Sequence, residues 1–257
     1  MRFLLAAIAA LYFTACSKPD PNQLTVGMEL EYPPFETVDN QGNPTGVSVD
    51  LAKALGEHLG RKVVIRDFKF KGLPAALSSG KIDLVISSMT ATEERAKAID
   101  FSDPYAQIGL ALLVQKGSTL TDTQSLNHPD ITIAVKAGTT GEIFADSQLP
   151  AARLLRLEQA GTCALEVAQG KADAFIYDQS SILEFAERHP DTTQPLPAPL
   201  QAENWAIGIR KGNDELRNQV NEFLKNYRAE GGFDRLADKH LKKQKERFKE
   251  AGVPFIF

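Results

Sequence analysis

The sequence predicts an α/β protein built as two similar lobes, and three observations carry that prediction. The chain of 257 residues is 43% hydrophobic and 24% charged, an ordinary globular balance with the length for one large or two medium domains. Short apolar runs alternate with amphipathic helical segments, the pattern of proteins with mainly parallel sheets. One octapeptide recurs in changed form, Gly80-Lys81-Ile82-Asp83-Leu84-Val85-Ile86-Ser87 being answered by Gly170-Lys171-Ala172-Asp173-Ala174-Phe175-Ile176-Tyr177. In each copy the glycine suits the left-handed position that ends a helix, and the apolar run suits a buried strand.

In order, Leu24 to Met28 reads as a strand, Val47 to Leu59 as a helix closed by Gly60, and Lys62 to Asp67 as a strand. Gly72 to Ser79 follows as a helix ended by Gly80, then Asp83 to Ser87 as a strand. The second half repeats this with Ile131 to Val135, Thr140 to Ser147, Arg153 to Leu157, Ala160 to Gln169 and Ala174 to Tyr177. Past Ala198 come a strand from Asn204 to Arg210, a long helix from Asp214 to Glu230 and a shorter one from Phe233 to Lys242. These last elements have no counterpart in the first half, so they are expected to return to the first lobe. That implies two crossovers, near Tyr105 to Gly109 and near Leu200 to Trp205, with Pro195, Pro197 and Pro199 keeping the second approach extended. The expected division is 25–106 plus 207–257 for the first lobe and 107–206 for the second.

The net charge of −4 gathers no nucleic acid, and no basic stretch carries interleaved aromatics that stack bases, so a small-molecule partner is favoured. The N-terminus sets Arg2 before an apolar run of about eleven residues, the h-region of a secretory signal. It is too short to span a bilayer. Thr14 and Ala15 before Cys16 resemble the lipobox of a bacterial lipoprotein, although Phe13 stands where that box usually has Leu. Residues 1–15 are therefore expected to be a signal peptide, Cys16 an acylated N-terminus, and residues 16–24 a tether. Cys163 reads as a buried thiol, a Cys16–Cys163 disulfide being the alternative, and the scattered histidines suggest no metal site.

In open α/β sheets ligands sit beyond the carboxyl ends of strands. The loops after the two repeated strands are Ser87 to Arg95 and Asp178 to Ser180. One supplies hydroxyls and an arginine, the other a carboxylate. Set across a cleft, Arg95 and Asp178 have the charges to meet the two ends of an α-amino acid: a guanidinium fork matches a carboxylate, and a carboxylate with hydroxyls takes ammonium protons.

These segments also resemble a family, the extracellular solute-binding proteins of polar amino acid ABC transporters. The marks are Tyr32-Pro33-Pro34-Phe35, Gly46-Val47-Ser48-Val49-Asp50-Leu51-Ala52, Phe70-Lys71-Gly72-Leu73, the Ser87 to Arg95 segment, Asp100-Phe101-Ser102-Asp103-Pro104-Tyr105 and Gly138-Thr139-Thr140. The resemblance implies the type II periplasmic binding protein fold, two α/β lobes joined by two crossover strands. It implies that Arg95 holds the ligand's α-carboxylate, with Thr90 and Thr140 as further donors, and that Asp178 with Ser88 holds the α-ammonium. Tyr32 and Phe70 would pack on the side chain and Glu29 would reach its far end.

The implied function is binding without chemistry: a periplasmic or extracytoplasmic, lipid-anchored monomer that hands a free amino acid to an ABC transporter permease, with no cofactor. A polar, cationic side chain such as that of arginine or lysine is expected, because aromatics can sandwich a guanidinium and Glu29 offers the opposite charge; glutamine or another neutral polar ligand is the alternative, since a carboxylate accepts equally from an amide. An acidic ligand is disfavoured for want of a further cation in the site segments. Rival readings are a prephenate or arogenate dehydratase on the same fold, and an amino acid sensing domain. Residue by residue, Asp178 could instead cap a helix, Thr139 with Glu142 could form a capping box, and Arg95 could be a solvated helix residue. The run Lys242 to Arg247 reads as a solvated helical face.

Overall fold

A computed structural model describes residue 20 and residues 22–257. The signal, Cys16 and most of the tether lie outside these residues. The strands are β1 (Gln23–Met28), β2 (Thr37–Val38), β3 (Pro44–Thr45), β4 (Lys62–Asp67), β5 (Leu84–Val85), β6 (Ile99–Phe101), β7 (Ala106–Gln115), β8 (Thr132–Lys136), β9 (Arg153–Leu157), β10 (Ala174–Asp178), β11 (Thr193–Trp205) and β12 (Gly208–Arg210). The helices are α1 (Val47–His58), α2 (Leu73–Ser78), α3 (Glu93–Ala96), α4 (Thr123–Leu126), α5 (Thr140–Gln148), α6 (Ala160–Ala168), α7 (Gln179–Arg188), α8 (Asp214–Ala229), α9 (Gly232–His240) and α10 (Lys242–Glu250).

Two five-stranded sheets result, ordered β4-β1-β5-β12-β6 and β11-β7-β10-β8-β9. Within each, a parallel set runs through the repeated strand: β1 pairs with β4 and β5, and β8 pairs with β9 and β10. Both sheets are then extended by antiparallel strands, β12 and β6 in the first and β7 and β11 in the second. Gly80 and Gly170 both take positive φ, 75° and 72°, where the chain leaves α2 and α6 for a buried strand. A side chain there would be strained, which is why glycine recurs.

The chain passes between the sheets twice, from β6 to β7 and from β11 to β12. β7 and β11 are long and paired, from Ala106 opposite Trp205 to Gln115 opposite Thr193, with an irregularity between Leu196 and Gln201. The sequence hides this pair. β7 is almost wholly apolar, and β11 contains Pro195, Pro197 and Pro199, which stand on an edge strand where a missing N–H costs no ladder bond. The strand expected over Asn204 to Arg210 is accordingly two: the end of β11 and β12, separated by the crossing. The strand expected over Asp83 to Ser87 keeps only Leu84 and Val85, because Ser87 and Ser88 turn away into the site.

Packing gathers at that crossing. Trp205 is fully buried and meets Phe35 edge-on at 5.0 Å and Tyr32 at 6.1 Å, while Tyr32 stacks on Phe35 at 5.1 Å. Side chains of this size each contribute about 1.5–3 kcal/mol on burial. Helices α8 and α9 return to the first sheet's α1, and α10 packs against both α9 and, in the second lobe, α7. Arg247 of α10 grips Glu187 through two bonds of 2.5 and 2.6 Å, so this end of the basic run is bound, not solvated. Among the described residues Cys163 is a free, buried thiol, whose pKa burial pushes up to about 12. Among the described residues no helix is long and apolar enough to cross a membrane, and no group of three metal-ligating side chains occurs.

Candidate ligand-binding site

The carboxyl ends of β1, β5, β8 and β10 meet between the lobes. Glu29 follows β1, Ser87 and Ser88 follow β5, Lys136 ends β8 and Asp178 ends β10. All eight side chains expected in the site, Glu29, Tyr32, Phe70, Ser88, Thr90, Arg95, Thr140 and Asp178, line one cavity here. Its volume is about 20 Å³, room for roughly one water.

Arg95 is drawn into this cavity by its helix start. Thr92 caps α3 by accepting from the Arg95 backbone N–H at 3.2 Å, which turns the guanidinium inward. Only 9% exposed, Arg95 donates to the Thr90 carbonyl at 2.7 Å and, across the cleft, to the Gly138 carbonyl at 3.0 Å. Its carbon centre lies 5.3 Å from the Phe70 ring centroid. Burial lowers its pKa to about 10, opposed by the charges of Glu203 and Asp178, and it stays a cation at neutral pH. A solvated residue it is not.

Asp178 stands at the N-cap position of α7 but makes no side-chain capping bond. It accepts instead from the Tyr32 hydroxyl at 3.0 Å, from the opposite lobe. Burial, and then the neighbouring Glu203 carboxylate, push its pKa up to about 7. The capping box expected of Thr139 and Glu142 is likewise absent. Thr139 donates to the Lys136 carbonyl at 2.7 Å and Glu142 accepts from the Gly138 N–H at 2.7 Å, so the first amides of α5 remain directed at the cleft.

Three charged residues escaped the sequence reading. Lys136, 2% exposed, pairs with Glu29 across the cleft, and Glu29 also accepts from the Phe70 N–H at 3.2 Å. This corrects the expectation that no further cation stands in the site, and it removes that argument against an acidic side chain. Its signal was legible, a lysine closing an apolar strand one residue short of Gly138-Thr139-Thr140. Glu203, on the crossover strand β11, accepts from the Thr90 hydroxyl at 2.8 Å and the Thr140 hydroxyl at 3.0 Å. The two hydroxyls expected to donate to a ligand carboxylate are thus engaged by a carboxylate of the chain, and the backbone amides are left for the ligand. Burial raises the Glu203 pKa. Nothing local in the sequence marked it, since only the sheet register brings it opposite both lobes.

Glu36 is the third. It is 1% exposed and accepts from Ser48 at 2.6 Å and Ser88 at 3.0 Å. Burial pushes its pKa up to about 8, against the hydroxyls that favour its charge. Ser88 holds φ at 47°, a strained value for a residue other than glycine, and its bond to Glu36 helps to keep it there. The result is a cavity lined by a guanidinium, by a carboxylate with hydroxyls near it, and by Glu29, whose partner Lys136 can donate where Glu29 accepts.

Known proteins share this arrangement of elements. The L-cystine-binding protein TcyJ of Escherichia coli strain K12 is 29% identical over 216 residues, 84% of this chain and 81% of that protein. The crystal structure of the ancestral amino acid-binding protein AncCDT-1, described as a precursor of cyclohexadienyl dehydratase, superposes with a TM-score of 0.78 at 37% identity, covering 86% of this chain and 96% of the other. An ancestral arginine-binding protein bound to arginine gives 0.79 at 32% identity, covering 86% and 98%. The family described as bacterial extracellular solute-binding proteins, family 3, matches residues 24–243, and this chain belongs to it.

Proposed function

We propose that this chain is the extracytoplasmic receptor of an amino acid ABC transporter, closing two lobes on a free L-amino acid with a polar side chain and presenting the closed form to a permease. The observation that carries the reading is that a buried guanidinium, Arg95, and a buried carboxylate, Asp178, which follow strands of the two different sheets, line one cavity. A zwitterion matches such a pair, and contacts from both lobes favour the closed state alone, the differential affinity a population shift requires. The names of the relatives, which bind cystine or arginine, support the same class of ligand.

In this reading Arg95 and the Thr90 and Thr140 amides take the carboxylate, Asp178 and Ser88 take the ammonium, and Tyr32 and Phe70 flank the side chain. The side chain would end at Lys136 and Glu29. A donor beside an acceptor suits a group offering both, such as a carboxamide, whereas a cationic side chain would have to displace Lys136 from Glu29. Cys16 acylation would hold the receptor at the membrane, and mass spectrometry of the exported protein tests that. A thermal-shift screen against the common amino acids tests the function, since a tight ligand raises the melting temperature by mass action. No shift with any of them would overturn it.

A dehydratase is the second reading, favoured by the AncCDT-1 likeness and by Glu203, a buried acid with a raised pKa that could donate a proton. Turnover of prephenate or arogenate would identify it. The binding reading is preferred because Glu203 is tied to Thr90 and Thr140; Asp178 suits an ammonium, which argues against prephenate though not against arogenate.

A further inference from the structure

Beside the cleft of about 20 Å³ lies a second cavity of about 360 Å³. Both lobes wall it, Glu31 and Pro33 from the first and the start of α6 with Ser181 from the second. Two residues join the spaces: Tyr32 lines both, and Lys136 lines the second while pairing with Glu29 of the first. The closed cleft therefore has its spare room on the far side of the Lys136–Glu29 pair, where a long side chain would emerge.

The walls decide what could enter. The Lys136 ammonium, the Gln159 amide and the Thr162 and Ser181 hydroxyls can donate, and Glu31, which Lys69 meets at one oxygen at 2.7 Å, can accept at the other. The first amides of α6 add donors, since Gln159 gives no side-chain cap and a helix start leaves its amides without intrahelical partners. Leu165 and Phe185 supply apolar wall for the stem of a side chain, and the polar groups beside them give a charged end its partners. A head carrying both an ammonium and a carboxylate would satisfy donors and acceptors together.

Resting on the amino acid reading, we infer that this cavity is a second subsite for the far end of an amino acid whose side chain carries a second amino-carboxylate head. Glutamine or arginine would meet only the cleft residues, once the side chains that now occupy the cleft give way, and would leave the cavity to water. A doubly headed ligand would occupy both and would be gripped at each end by both lobes.

Gly161 lines the cavity, and a Cβ there would meet no heavy atom within 4 Å, so a larger side chain can grow into the space without disturbing α6. The test titrates cystine, diaminopimelate, arginine and glutamine into the parent, Gly161→Phe and Gly161→Ala by calorimetry. A doubly headed ligand is expected to bind the parent and to lose at least tenfold in Gly161→Phe, with glutamine or arginine within threefold in every variant. Leu165→Trp fills the same cavity from the next turn and replaces Gly161→Phe should that variant melt early. The inference is overturned if neither doubly headed ligand binds the parent while single-headed ones do, or if filling the cavity leaves doubly headed binding unchanged. Failure of every amino acid to bind would instead overturn the function on which it rests.

Discussion

The Tyr32 hydroxyl of one lobe donates to Asp178 Oδ2 of the other at 3.0 Å. The carboxylate proposed for the ligand's ammonium is therefore already engaged at one oxygen, and an entering ammonium would share it with the hydroxyl or take the hydroxyl's place. The same holds at the far end, where Lys136 occupies Glu29. The cleft closes on its own side chains, and ligand affinity is the difference between two sets of contacts.

Replacing Asp178 separates its charge from its shape. Its carboxyl, raised to about 7, is increasingly protonated below that pH, whereas a bound ammonium would hold it ionised. Binding should then release protons, and affinity should rise with pH across the range in which this carboxyl ionises, above the ordinary carboxylate range, and then level off. Asp178→Asn should weaken every amino acid and flatten the profile. Calorimetry from pH 5.5 to 7.5 checks this, and a parent profile already flat would remove the ammonium role.

Arg95→Ala removes the guanidinium assigned to a desolvated carboxylate, a loss of about 2–5 kcal/mol. At 1.4 kcal/mol per tenfold, affinity should fall roughly 30-fold to several thousandfold. A threefold change or less would show that the helix-start amides suffice.

The Lys136–Glu29 pair should set side-chain preference. Lys136→Met leaves Glu29 free for a ligand cation, so the ratio of arginine to glutamine affinity should rise at least tenfold. Glu29→Gln should move preference toward glutamate. Both variants should melt lower without ligand, because each strands a buried charge. Equal ratios in parent and variants would make the pair structural only.

Glu36 makes a stability prediction. Its carboxyl is raised from 4.5 to about 8 in the folded chain, so the folded state binds the extra proton and stability falls as pH rises between those values. At pH 7 the difference is about 3 kcal/mol, at 1.36 kcal/mol per unit. Glu36→Gln should remove this slope and melt above the parent at pH 8, with the gap closing by pH 5. Parallel melting curves across that range would place the raised pKa in doubt.

Much of the site was legible because chemistry at strand ends follows from local pattern. Asp178 and Ser88 follow apolar runs that could only be buried strands, and Arg95 follows a capping threonine. Glu203 was not legible, since it lies in a proline-rich stretch whose strand exists only through pairing with β7. Lys136 was readable as a residue but not as a partner, because its counterpart is 107 positions away.

The sequence by itself determined the two repeats, the buried parallel strands, the turns at Gly80 and Gly170 and most residues of the cleft, all of which rest on short-range periodicity and turn chemistry. Only the tertiary structure decided which charges meet. The β7–β11 pair, the engagement of Thr90 and Thr140 by Glu203, and the neutralisation of Glu29 by Lys136 depend on contacts between distant segments. Their strength comes from burial between the lobes, where low dielectric makes an unpaired charge too costly to leave alone.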